Sequence, residues 1–212
     1  TYARGLDYHD VIRSKLRDLT AFIHERQPLQ VHRICVDSAP LLEREWAIRA
    51  GLGWQGKQGQ VVSTTVGCCQ VFGFLLVDLE LPPSSPVAER CGDCHCCTAG
   101  CPTGAALGNG RVDARRCLSY LTIEHKTRIP DDLQDAMAGM LFGCDCCTAV
   151  CPWNRRATAP VMPELEERDP VPSAQACLAM TEEEFDARFK GTAVYRTGLE
   201  RLKRNAGLAA TR

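Results

Sequence analysis

The 212-residue chain reads as an α+β protein in three parts. Residues 1–86 combine one long amphipathic stretch with short apolar segments of strand length. Residues 87–157 are loop-rich and hold most of the cysteines. Residues 158–212 form a tail of short capped helices with a basic end.

The middle part dictates the architecture. Its first run is Cys91-Gly-Asp-Cys94-His-Cys96-Cys97-Thr-Ala-Gly-Cys101-Pro102, with the skeleton C-x2-C-x2-C-x3-C-P. Its second is Cys144-Asp-Cys146-Cys147-Thr-Ala-Val-Cys151-Pro152, one cysteine shorter, and Cys117 lies between the two. Bacterial two-cluster ferredoxins use this spacing, and there the fourth cysteine of a run ligates the other cluster. Cysteines two residues apart in a tight loop aim at neighbouring irons of one cube, and the three-residue step before proline sends the last thiolate to a second. The spacing therefore predicts two 4Fe–4S clusters, one on Cys91, Cys94, Cys97 and Cys151, the other on Cys101, Cys117, Cys144 and Cys147. Such a cross-over makes cluster binding part of folding. Paired C-x2-C also suits zinc or a disulfide framework, but neither explains why both runs end in x3-C-P. Cys96 and Cys146 are supernumerary, either free thiols or rivals in an alternative register.

Composition narrows the setting. Fourteen cysteines with no secretory signal point to a reducing compartment, with the cytoplasm as the expected location. No apolar run approaches the roughly 20 residues of a membrane-spanning helix, so no membrane partner is expected. The chain begins at Thr1, and its text reads as a portion of a longer protein. The net charge of -1 conceals a basic end: Lys190, Arg196, Arg201, Lys203, Arg204 and Arg212 stand against Glu200 alone from residue 190 on. Smaller basic groups occur at Arg111, Arg115 and Arg116, and at His125, Lys126 and Arg128. A solvated helix face or a phosphate-binding footprint would each account for this.

In chain order, Val11, Ile12, Leu16, Leu19, Phe22 and Ile23 keep the spacing of one helix face, predicting a helix over Tyr8 to Arg26 that Pro28 stops. Val31 to Val36 reads as a strand ending at Asp37, followed by a helix from Pro40 to Ala50 with Ser38 as a possible cap. Asp37 is then either a turn residue or a ligand-facing carboxylate of the kind open α/β sheets place at strand ends. The loop Gly51-Leu-Gly-Trp54-Gln-Gly56-Lys57 brings backbone to a large ligand or carries Trp54 into the core. Gln60 to Thr65 and Gln70 to Leu79 read as strands around a turn near Gly67, and Pro82 to Pro86 as a linker. Helices are expected over Asp113 to Ile123, Asp131 to Leu141, Ser173 to Met180, from Thr181 through Phe189, and Gly198 to Ala206. Thr181 and Glu184 have capping-box spacing.

The ordered motifs resemble the epoxyqueuosine reductase family of corrinoid-dependent iron–sulfur enzymes in tRNA modification. The stretches that carry this are Tyr2-Ala-Arg-Gly-Leu-Asp-Tyr-His9, Val36-Asp-Ser-Ala-Pro-Leu-Leu-Glu-Arg44, Ala50 to Lys57, both cysteine runs, Arg116-Cys117-Leu-Ser-Tyr-Leu-Thr-Ile-Glu124 and Cys151-Pro-Trp-Asn154. Phe189-Lys-Gly-Thr and Arg204-Asn-Ala extend the likeness into the tail. The resemblance implies a partial cobalamin-binding α/β domain over 1–86, packed on a ferredoxin-like domain over 87–157. The implied reaction is reduction of epoxyqueuosine to queuosine at the tRNA wobble position. Asp37 matches the family's proton donor. Ser119, Cys144, Asp145, Arg44 and Lys57 match positions near the corrinoid. Implied partners are the tRNA anticodon arm and a low-potential donor such as a flavodoxin or ferredoxin, and the expected state is a monomer. At Gly67-Cys68-Cys69 to Phe74 the chain departs, with Cys68 where the family tends to have serine and Phe74 where it has glutamate.

Other functions remain in competition at this point. The chain would serve as a dicluster electron-transfer module, with Asp37 structural. It would also suit a corrinoid reductase of a small molecule such as an organohalide, or a tRNA-binding remnant without activity.

Overall fold

The computed structural model describes residues 3, 5–137, 139–157, 162–168 and 170–210. Tyr2 and Arg4 of the first motif and Arg212 of the basic tail lie outside the described residues. In order, the elements are α1 (Tyr8–Arg26), β1 (His32–Cys35), α2 (Glu43–Arg49), β2 (Trp54–Gln55), β3 (Val61–Val62) and β4 (Phe74–Val77). They continue with α3 (Cys96–Ala99), α4 (Leu118–Ile123), α5 (Asp131–Gln134), α6 (Cys146–Ala149), α7 (Ala174–Ala179), α8 (Glu182–Phe189) and α9 (Leu199–Ala209). No described helix is long and apolar enough to cross a membrane.

Local signals set the helix ends. Asp7 caps α1, accepting from the His9 backbone N–H at 3.0 Å. Ser173 caps α7, and Thr181 with Glu184 forms the reciprocal capping box of α8. The expected helix after Pro40 is shorter: α2 begins at Glu43, and Leu42 at its N-cap supplies no side-chain hydrogen bond. Residues 38–41 are bends instead, following Asp37, whose φ of 52° turns the chain sharply. The helix expected from Asp113 contracts to α4, with Cys117 as its N-cap.

Strand pairing differs from the sequence expectation. The segments around Gly67 do not pair with each other as strands. β1 pairs antiparallel with β4, Cys35 opposite Phe74, and β2 pairs with β3, Trp54 opposite Val62. The described residues thus form two separate two-stranded ladders. The expected face of α1 is covered mainly near its N-terminus: Val11 and Ile12 are buried, whereas Leu19 and Phe22 are 44% and 52% exposed. Gly67, with φ of 65°, is tied to the second cysteine run, since a Cβ there would stand 2.1 Å from Asn154 Oδ1. That close approach is a reason for glycine at this turn.

Among the described residues, three small cores replace one large one. Trp54, Val62 and Cys68 pack with Cys151, Cys91 and Trp153, joining the β2–β3 hairpin to both cysteine runs. Leu118, Leu121, Ile129, Leu133 and Met137 form the second. Phe185, Phe189, Leu199 and Leu202 anchor the third, against Leu141 and Phe142. Each buried leucine side chain contributes ~1.5–3 kcal/mol. The cores run across the boundaries expected at 86/87 and 157/158.

Two arginines of the basic tail, Arg201 and Arg204, turn inward onto backbone carbonyls. Arg204 donates to the carbonyls of Leu121, His125 and Thr127 at 2.6–2.8 Å. Asn205 Nδ2 donates to Thr122 O at 2.9 Å and Leu141 O at 2.8 Å, and Arg201 donates to Ile123 O. Three successive carbonyls at the C-terminal end of α4, unsatisfied within any helix, are thus capped by three side chains of α9. Arg196 adds a 2.6 Å ion pair to Glu124. Arg204→Ala is expected to cost about 2–4 kcal/mol, read as a lowered midpoint in denaturant unfolding.

Candidate functional site

The two cysteine runs are near-copies. In each, Cys-Cys-Thr-Ala forms one helical turn, α3 or α6, entered from His95 or Asp145, and the two turns pack together. A cavity of about 230 Å³ opens beside them, lined by Cys91, Cys94, Cys97 and Cys151 together with Trp153 and Gln58. These are three thiols of the first run and the last thiol of the second, the grouping expected for one cluster. Cys96 is exposed. Burial raises the Cys97 thiol, with Cys91 and Cys151 as charged neighbours adding to the effect.

The second group gathers around Cys147. Burial, then the neighbouring Cys101 and Cys117, push its thiol up to about 11. Burial pushes Cys144 up to about 12. At Cys101 burial acts upward too, but backbone N–H groups of Ala106 and Thr103 outweigh it and hold the thiol below its ordinary value. A thiol binds iron as its thiolate, so metal loading at these positions would release their protons. The described residues include no group of three or more metal-ligating side chains set to hold a single ion. The donor chemistry fits a cluster: thiols line the cavity, and Gln58 Nε2, in a side chain 3% exposed, is buried without a partner.

Asp37 lies at the end of β1 with a left-handed backbone unusual for a non-glycine residue. Its N–H donates to Glu43 Oε1 at 2.5 Å, and its Oδ2 lies 3.0 Å from His9 Nε2. His9 Nδ1 is 2.6 Å from Asp7 Oδ1. The tautomer that suits both contacts puts a proton on Nδ1 facing Asp7, an assignment from the hydrogen-bond pattern. The Asp37 side chain is 44% exposed while His9 is 11% exposed, so the carboxyl faces outward from a held base. Burial raises the Glu43 carboxyl, opposed by the Asp37 backbone N–H. His9 and Asp7 were not singled out by sequence reasoning, although both lie in the Tyr2–His9 motif. Gln58 carried no sequence signal beyond its place after Lys57.

The other expected residues separate. Arg44 Nη1 donates to Gly59 O at 2.7 Å, bracing α2 on the β2–β3 hairpin. Lys57 Nζ donates to Gly92 O at 2.6 Å and Cys94 O at 3.0 Å, in the first cysteine loop. Ser119 is in the first turn of α4, two residues after Cys117, and Asp145 precedes α6, directly after Cys144. The departures have local roles: Cys68 is buried, with N–H and Sγ both on Asn154 Oδ1, and Phe74 belongs to β4. Cys69, held by hydrogen bonding from Cys68, drops to about 7.

Fold and site together define a protein of the 4Fe–4S cluster-binding class, with two paired cysteine runs and a histidine-bonded aspartate outside them. Residues 90–154 match the 4Fe-4S double cluster binding domain, and residues 1–38 match the model described as epoxyqueuosine reductase QueG, DUF1730. Epoxyqueuosine reductases of Alicycliphilus denitrificans and Escherichia coli are 42% and 41% identical over 98% of the chain. The chain spans 58% and 55% of their lengths. A crystal structure of epoxyqueuosine reductase superposes with a TM-score of 0.90 at 32% identity, over 98% of this chain and 56% of that one. Another, with an epoxyqueuosine-modified tRNA-Tyr stem loop, gives 0.89 at 32% identity, over 98% and 55%. A Bacillus subtilis structure, described with its catalytic aspartate loop swung out of the active site, gives 0.87 at 32% identity, over 98% and 55%. The chain belongs to the epoxyqueuosine reductase family.

Proposed function

We propose that the protein of which this chain is part reduces epoxyqueuosine to queuosine in tRNA, with Asp37 as proton donor. The observation that carries this reading is the Asp7–His9–Asp37 chain on a strained turn in the same molecule as the four-cysteine cavity. The family membership and the Bacillus subtilis catalytic aspartate loop support it. Asp37 too stands on a loop, between β1 and α2.

Removing the epoxide oxygen as water and leaving a double bond consumes two electrons and two protons. We assign one 4Fe–4S cluster to Cys91, Cys94, Cys97 and Cys151 and the other to Cys101, Cys117, Cys144 and Cys147. A low-potential donor such as a flavodoxin or ferredoxin would feed them. Cobalamin, when bound, supplies a cobalt centre that collects the electrons at the substrate. Of the five residues expected near it, Arg44 and Lys57 are committed to backbone carbonyls. Ser119, Cys144 and Asp145 remain the candidates. Asp37 delivers its proton to the leaving oxygen. His9 Nε2 holds the carboxyl in place and, fixed by Asp7, is the group through which a replacement proton returns.

The RNA partner is matched by the α4–α5 loop. Lys126 and Arg128 line a groove of about 700 Å³ against α9, suited to anticodon-arm phosphates. The proposed state is a monomer working in the reducing cytoplasm. The three-part division at 86/87 and 157/158 remains our functional division of the chain.

The test is anaerobic reconstitution with iron, sulfide and cobalamin, a reductant and epoxyqueuosine-containing tRNA, with nucleosides analysed by mass spectrometry. Queuosine is the expected product. Intact clusters and bound corrinoid with no conversion would leave the dicluster electron-transfer reading in its place.

A further inference from the structure

We propose that the β2–β3 hairpin is a hydrogen-bonding cap on the cluster of Cys91, Cys94, Cys97 and Cys151, in which Trp54 and Gln58 raise that cluster's reduction potential. The inference rests on the two-cluster reading above.

Two side-chain N–H donors of the hairpin meet the cavity. Trp54 Nε1 donates to Cys91 Sγ at 3.4 Å. The residue is 2% exposed and its ring meets Trp153 edge-on at 5.0 Å, so the indole is held on more than one side. Gln58 lines the same cavity, with its Nε2 buried and unpartnered. Leaving such a donor unsatisfied is costly. Thiolate and sulfide acceptors are what the four surrounding cysteines would bring to it. The hairpin turn makes room for this amide: a Cβ at Gly56 would stand 2.4 Å from Gln58 Oε1.

Lys57, between these donors in sequence, gives its backbone N–H to the Cys91 thiol, while its side chain positions the ligand loop. Its ammonium bridges the Gly92 and Cys94 carbonyls, clamping the turn that carries Cys91 and Cys94. The second group has donors of its own, the backbone N–H groups of Ala106 and Thr103 at Cys101. Cys101 Sγ has a 3.8 Å contact to Thr103 Oγ1, and Asp145 follows Cys144 directly in the chain. Hydrogen bonds to sulfur and local charge set cluster potentials. Reduction adds negative charge, which N–H donors and a nearby cation stabilise and a carboxylate opposes. Removing either hairpin donor therefore makes the capped cluster harder to reduce and leaves the Cys101/Cys117/Cys144/Cys147 cluster unchanged.

Potentiometric titration followed by electron paramagnetic resonance tests this on the reconstituted holoprotein with full iron and sulfide. Gln58→Leu and Trp54→Phe each remove the N–H donor at their position. Each should lower one midpoint by about tenfold in the redox equilibrium, ~59 mV for one electron, and leave the other in place. The shifted signal should be the one missing from Cys151→Ser. Independently of any variant's folding, the reduced wild-type cluster should show hyperfine coupling to Gln58 side-chain amide nitrogen in protein labelled at glutamine with 15N. Midpoints unmoved in Gln58→Leu, or no such coupling in the wild type, would overturn the proposal. A wild-type holoprotein without two cluster signals would instead overturn the two-cluster reading itself.

Discussion

Asp37→Asn is expected to reduce turnover by about 100- to 10,000-fold while leaving cluster content and tRNA binding at wild-type levels. The magnitude follows from the role of a positioned general acid, whose loss removes proton delivery but no binding surface. Asparagine suits the test structurally as well, because it tolerates the left-handed backbone that φ of 52° demands. It keeps an oxygen or amide within reach of His9 Nε2 at the 3.0 Å contact. His9→Gln should reduce turnover less, since Asp37 keeps its own proton and loses only its orientation. Single-turnover conversion of epoxyqueuosine-tRNA, measured beside iron content, separates these effects. An Asp37→Asn protein that turns over like the wild type would remove Asp37 from the chemistry.

The second large effect concerns the ligand cross-over. Cys151→Ser should cut bound iron from about eight to about four atoms per chain. The thiols it releases should be Cys91, Cys94 and Cys97, which share its cavity, and not its sequence neighbours Cys144 and Cys147. Cys117→Ser should do the reverse and expose Cys101, Cys144 and Cys147. Alkylation of the anaerobic variants, followed by peptide mass spectrometry, reads this directly. Labelling of Cys144 and Cys147 in Cys151→Ser would mean that each run holds its own cluster.

What the sequence disclosed, and what it did not, divides along the range of the interactions. The limits of α1 and the capping box of α8 were legible because apolar spacing, Pro28, Thr181 and Glu184 act within a few residues. The pairing of β1 with β4 was not, because a long stretch of chain separates the strands and the intervening apolar segments compete for the same partners. The pairing of the two cysteine runs was legible because both carry the same x3-C-P ending. The exposed Leu19 and Phe22 were misjudged because periodicity marks a face without saying how much of it a neighbour covers. His9 and Gln58 show the sharpest limit. A lone polar side chain has no periodicity, and its value comes from the acceptor that the fold sets beside it. Arg201 and Arg204 show the converse, since charge in a sequence does not reveal whether a guanidinium meets solvent or a row of carbonyls.

That row of carbonyls bears on how the molecule fails and recovers. Oxygen attacks iron–sulfur clusters, and on the two-cluster reading the loops at 91–101 and 144–151 would lose the thiolate bonds that cross-link them. The α4–α9 clasp depends on none of those bonds, being made of arginine, asparagine and buried leucine. Damage should therefore strip order from the cluster loops and spare a folded half that still presents Cys117 at its edge. A cell that restores iron and sulfide would have a template to rebuild on, rather than an unfolded chain to discard.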